Sequence, residues 1–205
     1  MTTSQLAHII DALAEQDFAI VDAFLDASEL HLLRDTLLAH YAAGHFKDAG
    51  IGNQVAYQQN KAVRGDQIEW IERGQLPNAC HFFFDRIEAL SKYLNATCYL
   101  GIRSWELHFA MYPPGSFYKR HLDAFQKGNA RRISVVCYLN TDWQESYGGQ
   151  LRLYLPANTH LDVTPIGGRL VCFRSDSLEH EVLPATHERL SITGWLKSEA
   201  AILPF

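Results

Sequence analysis

Paired cysteines, an excess of positive charge and any apolar run of membrane length are all missing from this chain, and each absence removes a class of protein. The four cysteines, Cys80, Cys98, Cys137 and Cys172, include no C-x-x-C pair and sit in apolar segments. That distribution suits reduced core thiols better than a disulfide frame or a zinc site, and it places the protein in the cytoplasm. Lysine and arginine number 18 against 23 aspartates and glutamates, a formal net charge of −5. A surface built to neutralise phosphates has the opposite balance, so nucleic acid is not an expected partner. The segment Met1 to Ile20 carries Asp11, Glu15 and Asp17 with no basic stretch ahead of an apolar one, so no signal peptide is expected. No apolar run approaches the ~20 residues of a membrane helix, and no membrane partner is expected. Repeats, low-complexity tracts and linkers are absent as well. A chain of 205 residues with 47% apolar side chains is long enough for one well-buried core, so residues 1–205 are expected to form a single domain.

What is present divides the chain in two. Leu6, Ile9, Ile10 and Leu13 recur at helical spacing, and Phe18 to Val21 comes next as a short strand. Asp26 and Glu29 have the spacing of a capping box ahead of Leu30, Leu33, Leu37 and Tyr41. Residues 44–52 read as a loop, and a third helix is predicted from Pro77 to about Asn95. From Ile102 onward, seven or eight short β-rich segments alternate with Gly, Pro and Asn breaks, as in a sandwich or jelly roll. The fold class is therefore α+β with a mainly β core, residues 1–100 giving helical support and residues 101–197 the jelly roll.

The chemistry concentrates in the second half. His121-Leu122-Asp123, His180 and Arg189 supply two imidazoles, a carboxylate and a fixed cation. Two nitrogens and one oxygen on one face of an octahedral metal leave three positions open, which suits non-haem Fe(II) with O2. A nearby guanidinium can grip an anionic co-substrate with two parallel hydrogen bonds. The H-x-D triplet alone is weak, because ten histidines and 23 acids yield roughly one by composition, and His160-Leu161-Asp162 is a second example. The first triplet is set apart by its distance to a later histidine: 59 residues separate His121 from His180 (180 − 121 = 59), enough chain to cross the sheets and return. His160 has no such partner and reads as a turn residue.

Side chains two apart on a strand share a face, so His121 and Asp123 are expected to aim at one ion from one strand. The same parity sets Arg189, Ser191, Thr193 and Trp195 on one face and Leu190, Ile192 and Leu196 on the other. A polar face within a core-like pattern is what a pocket-lining strand shows. Tyr138 offers a phenolic donor for the far carboxylate beside Arg189, or is a core aromatic bonded to backbone. Tyr112 and Tyr118 flank the Pro113-Pro114-Gly115 turn and suit either the pocket mouth or turn packing. Val136, Val182 and Trp195 are candidates for a dry wall around the metal.

Taken with their neighbours, these residues make a longer pattern: Tyr112-Pro113-Pro114-Gly115, Tyr118 to Asp123, Tyr138-Leu139-Asn140, Asp142-Trp143, Gly148 to Arg152, His180-Glu181-Val182 and Arg189 to Trp195, together with Val63 to Ile71. In order and spacing the chain resembles an iron(II)- and 2-oxoglutarate-dependent dioxygenase of the prolyl 4-hydroxylase type, closest to the oxygen-sensing prolyl hydroxylases and their bacterial counterparts. The resemblance covers roughly residues 55–197. It implies a double-stranded β-helix, with Fe(II) on His121, Asp123 and His180. It implies 2-oxoglutarate on Arg189 and Tyr138 with Thr193 and Tyr112 near, O2 as second co-substrate and ascorbate as reductant. It further implies a substrate loop near 55–75 ordered by Arg64, Asp66 and Arg131, and a protein substrate, touched also by Tyr118, Trp195 and Val182, that presents a proline. Bacterial relatives of similar short length point to a translation factor such as elongation factor Tu. The turn after Tyr112 and the connection after Asp123 depart from the animal pattern, both near the expected peptide groove.

Other readings use the same residues. A nucleic-acid demethylase of this chemistry carries a second arginine six residues after the first, where this chain has Trp195. A hydroxylase of free amino acids or small molecules needs the same metal and co-substrate groups but no peptide clamp. A non-catalytic 2-oxoglutarate sensor and a zinc hydrolase of cupin type also fit two histidines and a carboxylate.

Overall fold

Local capping chemistry sets the first two helices. The computed structural model describes residues 1–50, 62–124 and 130–198. Helix α1 (Thr3–Gln16) starts at Thr2, whose hydroxyl accepts from the Gln5 N–H while the Gln5 side chain accepts from the Thr2 N–H. Helix α2 (Ala27–Ala42) has the same reciprocal box, Asp26 with Glu29, at the positions the sequence pattern gives. Helix α3 (His81–Cys98) begins later than Pro77 because Pro77 is extended (φ −52°, ψ 144°) and a 3-10 turn, Asn78–Cys80, intervenes. It also runs past Asn95, ending where Tyr99 turns left-handed at φ 53°.

The strands are β1 (Phe18–Val21), β2 (Lys47–Asp48), β3 (Gln67–Ile71), β4 (Ile102–Tyr112), β5 (Tyr118–His121), β6 (Arg131–Tyr138), β7 (Leu151–Leu155), β8 (Thr159–Val163), β9 (Leu170–Arg174), β10 (His180–Val182) and β11 (Arg189–Ser198). They form a seven-stranded sheet in the order β1-β9-β6-β11-β4-β3-β2 and a four-stranded sheet in the order β5-β10-β7-β8. Antiparallel pairing runs through both. Two facing antiparallel sheets of this connectivity make a double-stranded β-helix, and no helix among the described residues is long and apolar enough to cross a membrane.

Alternation along the large sheet divides the core into two layers. One face sends Phe109, Val135, Cys137, Cys172, Leu190, Ile192 and Leu196 against Ile9, Leu33, Leu37, Phe83, Ile87 and Leu90 of the helices. The other sends Ala110, Tyr112, Val136, Tyr138, Val171 and Phe173 toward Leu151, Leu153, Val163 and Val182 of the small sheet. Each fully buried aliphatic or aromatic side chain contributes roughly 1.5–3 kcal/mol, so the helical layer anchors the large sheet from behind. That leaves its front face free to carry polar groups.

Beyond the bounds of α3, four sequence expectations change. Residues 67–71, placed in a loop near 55–75, are strand β3, paired with β4 from Gln67↔Met111 to Ile71↔Leu107; residues 55–61 of that loop lie outside the described residues. The loop expected over 44–52 contains β2 within its described part. His160 is a strand residue opposite Tyr154 in the β7–β8 hairpin, not a turn residue. The split into helical and strand halves is blurred, because β1, β2 and β3 come from the first half and complete the large sheet. Strands this short carry too few residues for their alternation to stand out against their flanks.

Candidate active site

Strand register decides which side chains meet inside the β-helix. Across the front face of the large sheet, Tyr112 lies opposite Arg189, Ala110 and Tyr138 flank Ser191, His108 and Val136 flank Thr193, and Glu106 and Ser134 flank Trp195. On the small sheet, His180 pairs with His121 on one side and Leu153 on the other. Asp123 does not lie on β5 with His121. The strand ends at His121, and Asp123 enters from the turn beyond it, so the shared-face argument does not describe how the two side chains meet.

His121, Asp123 and His180 nevertheless converge, with ligand atoms all within 4.8 Å of one another. The Nε2 atoms of His121 and His180 lie 3.5 and 3.6 Å from the two oxygens of Asp123. Each imidazole is anchored at its other nitrogen: His121 Nδ1 is 2.7 Å from the Lys119 carbonyl and His180 Nδ1 is 3.1 Å from the Leu178 carbonyl. A carbonyl only accepts, so both Nδ1 atoms carry a hydrogen, and Nε2 is the nitrogen each ring can offer to a metal. That is the arrangement in which histidines ligate a metal. The Ser134 hydroxyl donates to Asp123 at 2.6 Å and is itself 2.8 Å from the Ser175 hydroxyl. Burial works to raise the Asp123 carboxyl, but His180, His121 and Ser134 outweigh it and hold it below the usual carboxylate range. Burial pushes His180 down to about 4, so at neutral pH its imidazole is neutral.

Arg189 is 2% exposed, and among the described residues no carboxylate comes within ion-pair distance of it. Its Nε donates to the Gly149 carbonyl at 2.9 Å, and its guanidinium carbon lies 5.0 and 4.9 Å from the Tyr112 and Tyr138 ring centres. Gly149 has to be glycine: φ is +70°, and a Cβ there would meet the Trp143 ring at 3.1 Å and Arg189 Cδ at 3.3 Å. Among the described residues the buried Tyr138 hydroxyl has no hydrogen-bond partner. A buried guanidinium and a partnerless phenol in one pocket cost free energy unless a ligand anion answers both. The donor set thus fits a small dicarboxylate next to a metal.

Thr193 is further along β11 than Arg189, with its hydroxyl 3.2 Å from that of Ser191, and Val182 is buried against Leu151 and Tyr118. Arg64 and Asp66 do not form a solvated turn. Asp66 is 2% exposed and takes two hydrogen bonds from Arg64, at 2.7 and 2.6 Å. Arg64 lies 4.3 Å from the Tyr118 ring centre, and Tyr118 stacks on His121 at 3.6 Å, so this pair is joined to His121 by one aromatic ring. Arg131 packs 3.4 Å from the Trp195 ring centre and donates to the Asp123 carbonyl, tying the Asp123 turn to Trp195.

Three participants escape a sequence reading. Ser134 and Ser175 lie beside Asp123, and strand parity with Val136 and Tyr138 is the signal that puts Ser134 on the pocket face. His108 is buried, its Nδ1 without a partner among the described residues, set 5.0 Å from the Trp70 ring and 5.5 Å from the Trp195 ring. Burial holds it neutral, down to about 3, and its signal is parity with Ala110 and Tyr112 on β4.

Comparison with known proteins agrees with this geometry. Residues 107–197 match the model of the 2OG-Fe(II) oxygenase superfamily. The chain is 32% identical over 200 residues to human prolyl hydroxylase EGLN3, covering 93% of this chain and 82% of that one. It spans only 46% of the longer human Egl nine homolog 1. A prolyl-4-hydroxylase of Pseudomonas putida superposes with a TM-score of 0.87 at 39% identity, over 95% of this chain and 100% of that one. The Trichoplax adhaerens prolyl hydroxylase in complex with a hypoxia inducible factor peptide superposes with a TM-score of 0.85 at 30% identity, over 97% and 94%.

Proposed function

This chain belongs to the 2OG-Fe(II) oxygenases, within the prolyl hydroxylases, and from that premise we propose that it hydroxylates a prolyl residue of a protein substrate. The observation that carries the reading is the donor set between the two sheets: three ligand atoms within 4.8 Å of one another, with a buried arginine and a buried phenol that among the described residues have no carboxylate and no hydrogen-bond partner, respectively.

In this reading His121, Asp123 and His180 hold Fe(II), with Ser134 keeping Asp123 ionised and oriented. Bound there, iron supplies the oxidising chemistry by which O2 hydroxylates a C–H bond while 2-oxoglutarate becomes succinate and CO2. Arg189 and Tyr138 take the far carboxylate and so select a dicarboxylate by charge and length, with Tyr112 closing the same end of the pocket. Val136, Val182 and Trp195 exclude water around the metal. Arg64 and Asp66, locked together and linked through Tyr118 to His121, hold the edge over which a peptide enters. The clamp favours a protein over a free amino acid, since a small substrate needs no such edge.

Ascorbate is the reductant expected to keep the iron ferrous, and the buried thiols of Cys80, Cys137 and Cys172 suit the cytoplasm. Elongation factor Tu is the first partner to test. The purified protein, with Fe(II), 2-oxoglutarate and ascorbate, is expected to add 16 Da to a prolyl peptide of that factor or of another lysate protein, read by mass spectrometry. Release of succinate with no oxidised prolyl peptide would overturn the protein-substrate reading.

A further inference from the structure

Behind the pocket, on the opposite face of β3 from Trp70, three more ligating groups converge. Glu69 lies opposite Phe109, on the helical side of the large sheet. His40 occupies the last turn of α2, and the chain reverses beyond it through Gly44, at φ +79°, so that the His45 N–H donates to the His40 carbonyl. The reversal stacks the two rings edge to face, centres 5.1 Å apart, and brings both Nδ1 atoms to one carboxylate. His40 Nδ1 is 3.0 Å from Glu69, His45 Nδ1 is 3.3 Å from it, and the two nitrogens are 3.5 Å from each other.

These separations have a meaning of their own. Metal bonds of about 2.05 Å in a tetrahedron set adjacent donor atoms about 3.3 Å apart, and all three distances fall close to that value. Glu69 is mostly buried, its side chain 15% exposed, and among the described residues no lysine or arginine comes within ion-pair distance; its partners are these two imidazoles. A mostly buried carboxylate is stabilised by a positive charge in its cluster.

We propose that His40, His45 and Glu69 form a second, non-catalytic site for a divalent ion of the zinc class, with water in the fourth position. Two neutral imidazoles and a carboxylate leave the bound ion with a net charge of +1, which a water-facing position accommodates. Occupancy ties the end of α2 to β3, the strand that carries Trp70 against His108 and comes directly after the Arg64–Asp66 pair.

The test counts ions in four forms of the full chain: wild type, His45→Ala, Asp123→Ala and the double variant. Each is dialysed against buffered free zinc and analysed by mass spectrometry for metal. Loss of one ion in Asp123→Ala reports the oxygenase triad, and loss of one ion in His45→Ala reports the new site, so the two assignments stand or fall separately. His45 is half exposed, so its replacement leaves the fold intact, checked by circular dichroism. In Asp123→Ala loaded with cobalt(II), the intense visible bands of tetrahedral coordination are expected, and they vanish with His45→Ala. Equal zinc content in wild type and His45→Ala would reduce the cluster to a hydrogen-bonded trio and overturn the proposal.

Discussion

Ser134 offers the metal no atom of its own, yet its hydroxyl is predicted to set the strength of the metal site. It is 1% exposed and donates to Asp123 at 2.6 Å, while the Ser175 hydroxyl stands 2.8 Å behind it. A hydrogen bond to a charged acceptor is worth about 1.5–3 kcal/mol. At about 1.4 kcal/mol per decade this corresponds to a roughly 10- to 100-fold loss of metal affinity in Ser134→Ala, the range usual for groups that orient a metal ligand. Ser175→Ala removes only a neutral bond behind the first, worth about 0.5–1.5 kcal/mol, so it is expected to lose no more than about tenfold. Mn(II), which is not oxidised in air, replaces Fe(II) in the assay, with free ion monitored by electron paramagnetic resonance. The order wild type, Ser175→Ala, Ser134→Ala in weakening affinity is the expected result. An affinity for Ser134→Ala within about twofold of wild type would show that Asp123 is held by other means.

Further consequences separate the pocket's parts. Arg189→Lys keeps the charge but loses the two-pronged geometry, so KM for 2-oxoglutarate should rise about tenfold or more with a smaller change in kcat; a steady-state titration that leaves KM unmoved removes Arg189 from the co-substrate. Tyr138→Phe removes a hydroxyl that is partnerless without ligand, so the thermal midpoint should hold or rise while 2-oxoglutarate affinity, measured by calorimetry, falls about 2- to 10-fold. A drop in both would mean that the hydroxyl serves the fold. His108 is held neutral by burial, down to about 3 from 6.5; its native value is depressed, so the unfolded chain binds the extra proton and stability falls as pH drops through that interval. His108→Leu should remove up to about 1.4 kcal/mol per pH unit of that slope between roughly pH 6 and 4, read by urea unfolding, and an unchanged slope would assign acid lability elsewhere.

The sequence carried the donor atoms of the site more clearly than their setting. Arg189, Ser191, Thr193 and Trp195 share a pocket face because β11 is regular enough for parity to hold along its length up to Trp195. Asp123 lies past the end of β5, and no local pattern distinguishes a turn carboxylate that reaches back from a strand carboxylate beside its neighbour. Ser134, Ser175 and His108 are single polar residues within apolar strands, and only tertiary register reveals which carboxylate or ring each one meets. His40, His45 and Glu69 are further still from legible, since a helix end and a strand 24 residues beyond His45 (69 − 45 = 24) meet only through sheet packing. The helices were legible where capping fixed them, at Asp26 and Glu29, and less so at Pro77, where an unforeseen 3-10 turn delays the start.

The central claim is that His121, Asp123, His180 and Arg189 work as one centre on 2-oxoglutarate. Its most direct measurement is succinate formed from 2-oxoglutarate by nuclear magnetic resonance, with Fe(II) and ascorbate, in wild type and Asp123→Ala at matched folded concentration. Turnover by the wild type that rises with a prolyl substrate and is lost in Asp123→Ala is the predicted result. Succinate produced at equal rates by both proteins would contradict the account.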